Sequence, residues 1–470
     1  MLQESLRTQT ASVWMLHFFD APLPWCPDCY NWHMDILSYI DKTCIRCGGC
    51  LPQQEAEGMT PFMCGDLAEE LLEAGDSDQV HPEVYEFVLG CSLCGACTTH
   101  CPEKLSCAHA ARAGREKLIE LEPELLEDYR AFRVDYRENL FGVIREAMGV
   151  SYKDYLETSS KEKRSRSTAL FFPGCSLASY SEKLTRTTYE LLESRGVVQG
   201  MTAYCCGKPL YDMGATQEFE SYANGLIDAL AHASVDKLVV ACPSCFYTLK
   251  DLLEERLIDG IVLEALPDAL LNLNITCLED DYASVALHDS CLDRFGLHFS
   301  QATHTLFKQS GMSVLKMQNS GSGTICCGAG GLSQAGSPTL SEARGARRLR
   351  QFAATKAECL VCSCMSCVNA FVLGEGSQCD DAHHYLELLL GISVDWGAVK
   401  RTMDELTGAH DCEESGRSQD EYHADIFGQY NSYQLANIKQ ANEYEVEDSD
   451  LSSLPAFYLP LELCTKIFDD

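Results

Sequence analysis

The stretch VDKLVVACPSC, residues 235–245, is a short apolar run that leads into a pair of cysteines. Such a run predicts a buried β-strand followed by a turn. The amphipathic stretch FYTLKDLLEERL, residues 246–257, follows at once and predicts a helix. Further upstream, TALFFPGC (168–175) precedes a second helical pattern at 179–196. Strands that alternate with helices predict an α/β fold with a parallel sheet.

This plan occurs twice along the chain. ASVALHDSC (283–291) matches TALFFPGC, and AECLVCSCMSC (357–367) matches VDKLVVACPSC. A pair of adjacent cysteines before a glycine also recurs, as YCCG at 204–207 and ICCG at 325–328. The matching cysteines lie about 120 residues apart, so we predict a duplicated α/β domain of ordinary size.

Cysteine is the outlier of the composition, with 27 of 470 residues. A secreted disulfide scaffold is usually short and begins with a signal peptide. This chain is long, and its start has neither a basic segment nor a continuous apolar one. We therefore expect a cytoplasmic protein whose thiols bind metal, peripheral to the inner membrane only through a partner. No apolar run approaches the roughly 18 residues that span a bilayer, so we expect no direct membrane span.

The charge is strongly acidic. Lys and Arg total 36 against 70 Asp and Glu, which gives a net charge of -34. Such a surface repels nucleic acid and anionic lipid. We therefore expect no nucleic-acid partner.

The pattern changes along the chain and predicts six segments. These are an N-terminal extension (1–40), a helical ferredoxin-type domain (41–150), a linker (151–167), two α/β domains (168–278 and 279–400) and an acidic C-terminal tail (401–470). Within the helical segment, Pro123 is expected to separate two helices. Cys26 and Cys29 in the extension lack a complete four-ligand set, which favours plain reduced thiols.

The run CSLCGACTTHCP, residues 91–102, has the spacing of a bacterial ferredoxin site. Cys91, Cys94, Cys97 and Cys101 follow the pattern C-x2-C-x2-C-x3-C-P. Three thiolates at this spacing wrap one corner of a [4Fe-4S] cube, and in two-cluster proteins the fourth cysteine ligates the other cluster. The run therefore predicts at least one cubane cluster.

The upstream run CIRCGGCLPQQ, residues 44–54, supplies the three partners that the pairing rule requires. Cys44, Cys47 and Cys50 match the pattern, and Cys101 would complete their cubane. Gln54, however, stands where the run should have its own fourth cysteine.

A second cubane on Cys91, Cys94 and Cys97 would consequently need a substitute ligand. We prefer Cys64 and keep Cys107 as the alternative. A three-iron cluster and a labile fourth ligand are open as well.

Each α/β copy supplies five thiols: one early, two adjacent and a C-x2-C pair. The first set is Cys175, Cys205, Cys206, Cys242 and Cys245; the second is Cys291, Cys326, Cys327, Cys364 and Cys367. A cubane and a structural zinc each take four protein ligands, so five is the wrong number for either. Because α/β folds bind ligands at the carboxyl edge of the sheet, we expect both sets there.

The duplicated C-x(n)-CCG-x(n)-CxxC pattern, preceded by a dicluster ferredoxin segment, resembles heterodisulfide reductase. The order of segments is similar to that in the D subunit of that enzyme, and the resemblance covers roughly residues 41–395. It implies that each five-thiol set holds a noncubane [4Fe-4S] cluster. It also implies that a small-molecule or protein disulfide is cleaved between the two clusters, with electrons arriving through the cubanes.

No nucleotide-binding fingerprint occurs in the chain, since the glycines after the second CCG do not form G-x-G-x-x-G. Any flavin would therefore lie on another chain. The expected partner is a flavin-containing, hydrogenase-type or membrane cytochrome subunit.

Two other functions fit the same motifs. Proteins that resemble this chain in the same order of ferredoxin and CCG segments are electron-transfer subunits of flavin-linked glycolate, lactate or glycerol-3-phosphate dehydrogenases. A structural zinc protein is the third possibility, and the cubane run argues against it.

Two further residues are weak candidates for contact with substrate or cluster. Lys208 follows the first CCG directly, and His288 lies in LHDSC. The plain alternatives are a surface lysine and a packed histidine.

Overall fold

The computed structural model describes residues 36–407 except 76–78, 137–138, 160–167, 257, 259, 278–281 and 375–378. All of these residues belong to one compact unit. Cys26 and Cys29, residues 160–167 of the expected linker and almost all of the acidic tail lie outside the described residues.

The first part of the described chain is helical, as the sequence predicts. Its helices are α1 (Ile36–Thr43), α2 (Leu51–Ala56), α3 (Cys64–Glu73), α4 (Pro82–Gly90), α5 (Cys107–Leu121), α6 (Leu125–Asp128), α7 (Leu140–Ala147) and α8 (Tyr155–Ser159). Pro123 lies between α5 and α6, as predicted. Leu67, Val84 and Ala110, all fully buried, form the centre of the hydrophobic core of this region.

The first α/β copy is a parallel sheet of four strands. They are β1 (Thr168–Phe172), β2 (Gly200–Met201), β3 (Val235–Val240) and β4 (Val262–Ala265), in the order β2-β1-β3-β4. The helices of this copy are α9 (Cys175–Tyr180), α10 (Glu182–Ser194), α11 (Lys208–Met213), α12 (Thr216–His232), α13 (Pro243–Glu255) and α14 (Leu266–Asn272).

The second copy repeats this topology, which confirms the predicted duplication. Its strands β5 (Ser284–His288), β6 (Ser313–Leu315), β7 (Cys359–Cys362) and β8 (Ala382–His384) are parallel in the order β6-β5-β7-β8. Its helices are α15 (His298–Gln309), α16 (Ser333–Gly336), α17 (Pro338–Thr355), α18 (Met365–Leu373), α19 (Tyr385–Leu390) and α20 (Trp396–Thr407).

The strand order puts a ligand-binding crevice at the same place in each sheet. From β1 the chain passes to β2 on one side and then to β3 on the other, so the order reverses between β1 and β3. Parallel α/β sheets bind ligands beyond the carboxyl ends of the strands at such a switch point. The equivalent point of the second sheet lies between β5 and β7.

The two sheets share one hydrophobic core. Phe171 and Val239 of the first sheet belong to the same buried cluster as Val285 and Leu360 of the second, and all four are fully buried. Burial of this kind is the main favourable term in folding. Among the described residues, no helix has both the length and the apolar content to cross a bilayer.

A buried arginine on α5 joins the helical region to both α/β copies. Arg115 is 2% exposed and donates hydrogen bonds to the backbone oxygens of Val88 (2.9 Å), Leu89 (3.1 Å), Cys91 (2.6 Å), Asp212 (2.6 Å) and Gly331 (2.6 Å). The guanidinium group carries five N–H donors in a fixed plane and suits such a junction. The cysteine run that begins at Cys91 is thereby held against the α/β copies.

We expect Arg115→Met to lower the free energy of unfolding by about 3 kcal/mol or more, because it leaves buried carbonyl groups without a donor. Lys117→Met on the same helix is the matched control. Lys117 only pairs with Glu120 at 3.8 Å, so its loss should cost about 0.5 kcal/mol or less. Anaerobic chemical denaturation measures both, and equal effects would contradict the assigned role of Arg115.

Candidate metal centres

The first five-thiol set lies at the switch point of the first sheet. Cys175 begins α9 just after β1, and Cys242 follows β3 as the N-cap of α13. The Sγ atoms of Cys175 and Cys205 are 4.0 Å apart. Cys206 lies within hydrogen-bonding distance of Cys205 and Cys245, and Cys245 within that distance of Cys242. The structure thus brings all five predicted thiols together.

The second set has the same arrangement at the second switch point. Cys326 is within hydrogen-bonding distance of Cys291 and Cys327. The Sγ atoms of Cys327 and Cys367 are 3.0 Å apart, and Cys364 contacts Cys367. Here too the structure brings the five predicted thiols together.

The two sets meet at one contact. Cys242 accepts a hydrogen bond from Cys364, so the ten sulfur atoms form a continuous group across the two copies. Next to this contact, the hydroxyls of Ser176 and Ser366 are 2.9 Å apart. Eight of the ten thiols are buried, whereas Cys175 and Cys242 are half-buried. The group therefore reaches the surface on the side of the first copy.

The ten thiols suit iron–sulfur clusters. Cys206, Cys242 and Cys326 have pKa values well below the ordinary thiol value, because each accepts hydrogen bonds from neighbouring thiols. The thiolate is the form that binds metal, and a buried set of thiolates favours iron–sulfur chemistry or zinc. A tetrahedral zinc site uses four ligands, so five contiguous thiols per copy fit an iron–sulfur cluster better.

The glycine after each adjacent cysteine pair makes a tight turn. Gly207 and Gly328 have φ angles of 85° and 100°, in the region that favours glycine. A Cβ atom on Gly328 would lie 2.3 Å from the backbone oxygen of Ser341. The adjacent cysteines therefore depend on a glycine at this position.

The weak candidate Lys208 is committed to an ion pair. Its ammonium group binds the carboxylate of Asp212 within α11 and lies 5.1 Å from the centre of the Tyr211 ring. Its contact with substrate stays a prediction.

The other weak candidate, His288, lies at the end of β5 beside the second set. One of its ring nitrogens is within 4.8 Å of the Sγ atoms of Cys327 and Cys367. Nδ1 accepts a hydrogen bond of 2.9 Å from Nε of Arg348. Burial and the Arg348 cation lower the pKa of His288 to about 3, so the imidazole is neutral.

The predicted first cubane site is a cavity in the helical region. Cys44, Cys47, Cys50 and Cys101 all line it, and Cys101 comes from the second cysteine run, as the pairing rule predicts. Cys47 is exposed. The site therefore lies close to the surface, and iron binding there stays a prediction.

The two candidates for the missing ligand of the second cubane are bonded to each other. Cys64 and Cys107 form a disulfide, and their sulfurs lie within 4.8 Å of Cys50 Sγ. Cys64 also lines the cavity of the first cubane site. The Gln54 amide bonds the backbone of Phe62 at 2.7 and 2.8 Å. In this form neither sulfur is a free thiolate for iron, and the fourth ligand stays a prediction.

The loop of Cys91, Cys94 and Cys97 packs against the second α/β copy. The guanidinium of Arg294 donates to the backbone oxygen of Cys94 at 3.2 Å. A Cβ atom on Gly330 would lie 2.7 Å from the backbone oxygen of Ser92. The glycines after the second CCG therefore permit this approach, which brings the second cubane site next to the second five-thiol set.

Sequence reasoning missed the buried charges around this junction. Arg344 donates to the backbone oxygen of Gly90 at 2.9 Å and lies 3.5 Å from the carboxylate of Glu57. Burial raises the pKa of Glu57 to about 7. One feature of the sequence does indicate these buried charges. Arg344 and Arg348 are four residues apart, and side chains at i and i+4 lie on the same face of a helix.

Sequence reasoning also missed Tyr385. Its side chain is fully buried near Cys242, and its hydroxyl has no hydrogen-bond partner among the described residues. Burial raises its pKa well above the ordinary value, so the hydroxyl keeps its proton.

We expect Gly330→Ala to lower the free energy of unfolding by about 1–3 kcal/mol, because its new methyl group overlaps the Ser92 backbone. Gly323→Ala is the matched control, since a Cβ atom there meets nothing within 4 Å. Anaerobic denaturation of both variants measures the difference. A Gly330→Ala protein as stable as the control would contradict the close packing of this loop.

Comparison with known protein families identifies the two α/β copies. Residues 169–250 and 285–372 match the model of the cysteine-rich domain CCG. These ranges contain both five-thiol sets and nearly all of the first three strands of each sheet, whereas β4 and β8 lie beyond them. The chain therefore contains two cysteine-rich domains, in agreement with the duplicated CCG pattern of the sequence.

Relatives among characterised and uncharacterised proteins extend the match over most of the chain. An uncharacterized iron–sulfur protein of Methanococcus maripaludis is 24% identical over 337 residues, 69% of this chain and 66% of that protein, just under two thirds. The D subunit of the dihydromethanophenazine:CoB–CoM heterodisulfide reductase of Methanosarcina mazei is 25% identical over 380 residues, 71% of this chain and 89% of that relative.

A third relative is the B subunit of the fumarate reductase (CoM/CoB) of Methanothermobacter marburgensis. It is 22% identical over 343 residues, 69% of this chain and 66% of that relative. The chain is thus an iron–sulfur protein related to the D subunit of heterodisulfide reductase, with an oxidoreductase-associated role.

Proposed function

We propose that the protein is an iron–sulfur subunit that reduces a disulfide at the junction of its two cysteine-rich domains. The observation that carries this proposal is the contact between Cys242 and Cys364, which joins the two five-thiol sets. A substrate at this junction would touch both sets at once. The relationship to the D subunit of heterodisulfide reductase supports the same conclusion.

The ten thiols would hold two noncubane [4Fe-4S] clusters, and the cysteine runs of the helical region would hold one or two cubanes. Such clusters carry electrons one at a time. Reduction of a disulfide to two thiols consumes two electrons and two protons. Two adjoining clusters meet the electron requirement.

The predicted ligand sets follow one another from the surface to the junction. Cys47 is exposed at the first cubane site. Burial is the main cause of the raised pKa of Cys97. Cys50 of the first cubane site lies close enough to Cys97 to raise this pKa further. Ser92, in the second cubane loop, hydrogen-bonds Cys326. We propose that electrons enter at Cys47 and reach the second α/β copy before the first.

The side of entry for the disulfide follows from burial. Cys175 and Cys242 are the half-buried members of the ten thiols. We propose that the substrate arrives on their side. The Tyr385 hydroxyl, buried near Cys242, would then donate a hydrogen bond to the sulfur of a departing thiol.

A redox partner must supply the electrons. The relatives are named as subunits of reductases, so we propose a partner chain of the flavin, hydrogenase or cytochrome type. It would dock where Cys47 is exposed.

The direct test is EPR spectroscopy of protein purified without oxygen. A panel of disulfides, beginning with the CoB–CoM heterodisulfide, is added to the reduced protein. We expect at least one disulfide to change the cluster signals, with thiol released in proportion. Binding of a disulfide that leaves both noncubane signals unchanged would contradict the proposal.

We expect Cys327→Ser to remove one cluster, so that iron falls by about four atoms per chain, from about sixteen if both cubanes are present. Cys277→Ser is the matched control, because Cys277 is half-buried and lies outside both five-thiol sets. Iron and acid-labile sulfide analysis measures both variants. Full iron content in Cys327→Ser would contradict the ligand assignment.

An electron-transfer subunit of a flavin-linked dehydrogenase complex is the second candidate. The observation in its favour is the relative named as part of a fumarate reductase. In this case disulfides would leave the EPR signals unchanged, while a reduced flavin partner would still reduce the clusters.

A further inference from the structure

The two cysteine-rich domains differ next to their clusters. His288 ends β5 in the second copy, and the equivalent residue at the end of β1 is Phe172. Arg348 on α17 binds His288, and the position matching Arg348 on α12 is Leu226. Phe172 and Leu226 are fully buried. A buried polar pair in one copy thus replaces a buried apolar pair in the other.

The hydrogen bond from Arg348 fixes the position of the proton on His288. Arginine stays protonated in proteins and has no acceptor, so its Nε–H must donate. The Nδ1 atom of His288 accepts this hydrogen bond at 2.9 Å and carries no proton. Because an imidazole whose Nδ1 acts as an acceptor carries its proton on the other nitrogen, the proton of His288 lies on Nε2.

The ring that carries the Nε2–H group is buried beside thiols of the second set. The side chain of His288 is 2% exposed, and among the described residues Nε2 has no hydrogen-bond partner. The nearby acceptors are the sulfurs of Cys327 and Cys367, within 4.8 Å of a ring nitrogen. A buried donor without a partner is costly, so the group requires an acceptor at this place.

Building on the proposed function, we propose that His288 donates a hydrogen bond from Nε2 to a sulfur of the second cluster. Hydrogen bonds to cluster sulfurs stabilise the reduced, more negative state and raise the reduction potential. The first cluster, with Phe172 at the equivalent position, lacks this donor. The second cluster therefore has the higher reduction potential of the two clusters. His288 acts through the cluster sulfur and favours arrival of the electron at the second cluster.

The same geometry excludes His288 as an iron ligand. A histidine that binds metal through Nε2 needs an unprotonated Nε2, with its proton on Nδ1. In this structure the Nδ1 lone pair is already used by Arg348. The role of His288 is therefore donation of a hydrogen bond.

Three variants test the proposal. His288→Phe introduces the first-copy residue, and His288→Phe with Arg348→Leu introduces its whole apolar pair, which avoids an unpaired buried cation. His288→Gln keeps an amide donor and an acceptor for Arg348.

Each variant is purified without oxygen, and the reduction potentials of its clusters are measured by a redox titration followed by EPR. The second cluster is identified as the signal that Cys327→Ser removes. Proton ENDOR in H2O and D2O detects an exchangeable proton on that cluster.

We expect both Phe-containing variants to shift the potential of the second cluster to a more negative value. They should also lose one exchangeable proton coupling, that of the His288 Nε2–H, while the coupling of the Ser92 hydroxyl that bonds Cys326 remains. His288→Gln should keep the proton and a potential near that of the unmodified protein. The potential of the first cluster should stay unchanged throughout.

Two results would overturn the inference. Unchanged potentials and proton couplings in the Phe variants would show that His288 does not donate to the cluster. Loss of the second cluster from His288→Phe and from His288→Gln, measured as iron, would show that His288 is a ligand. An unmodified protein without noncubane signals would instead refute the proposed function, and this inference with it.

Discussion

The contact between Cys242 and Cys364 is the constraint on which the site depends. Two parallel sheets with the same strand order each place five thiols at a switch point, and this contact joins them. Burying thiolates together is unfavourable unless a cation or metal compensates for their charge. The arrangement therefore supports the proposal that these thiols hold two adjoining metal clusters.

The helical region is positioned by arginine side chains that bind backbone oxygens. Arg115 bonds both α/β copies and the loop at Cys91. From the second copy, Arg294 bonds the same loop at Cys94, and Arg344 bonds the end of α4 at Gly90. Guanidinium groups suit this task because their donors are rigid and permanently charged. As a result the loop of the predicted second cubane adjoins the second five-thiol set, and the two copies are inequivalent.

The fold and the composition of the thiol sets were predictable from local patterns. Alternating strands and helices gave the parallel sheets, and the spacing of Cys205, Cys206 and their counterparts indicated the duplication. The Cys242–Cys364 contact was not predictable, because it depends on how two complete domains pack. The role of Arg348 was not predictable either, because its hydrogen-bond partner His288 lies 60 residues away in the sequence.

The most direct test of the central claim is a crystal structure of protein prepared without oxygen, with anomalous scattering measured at the iron edge. The account predicts two groups of iron atoms on either side of the Cys242–Cys364 contact, each touching all or most of its five thiols. A single zinc ion in each copy, or iron confined to the helical region, would contradict it.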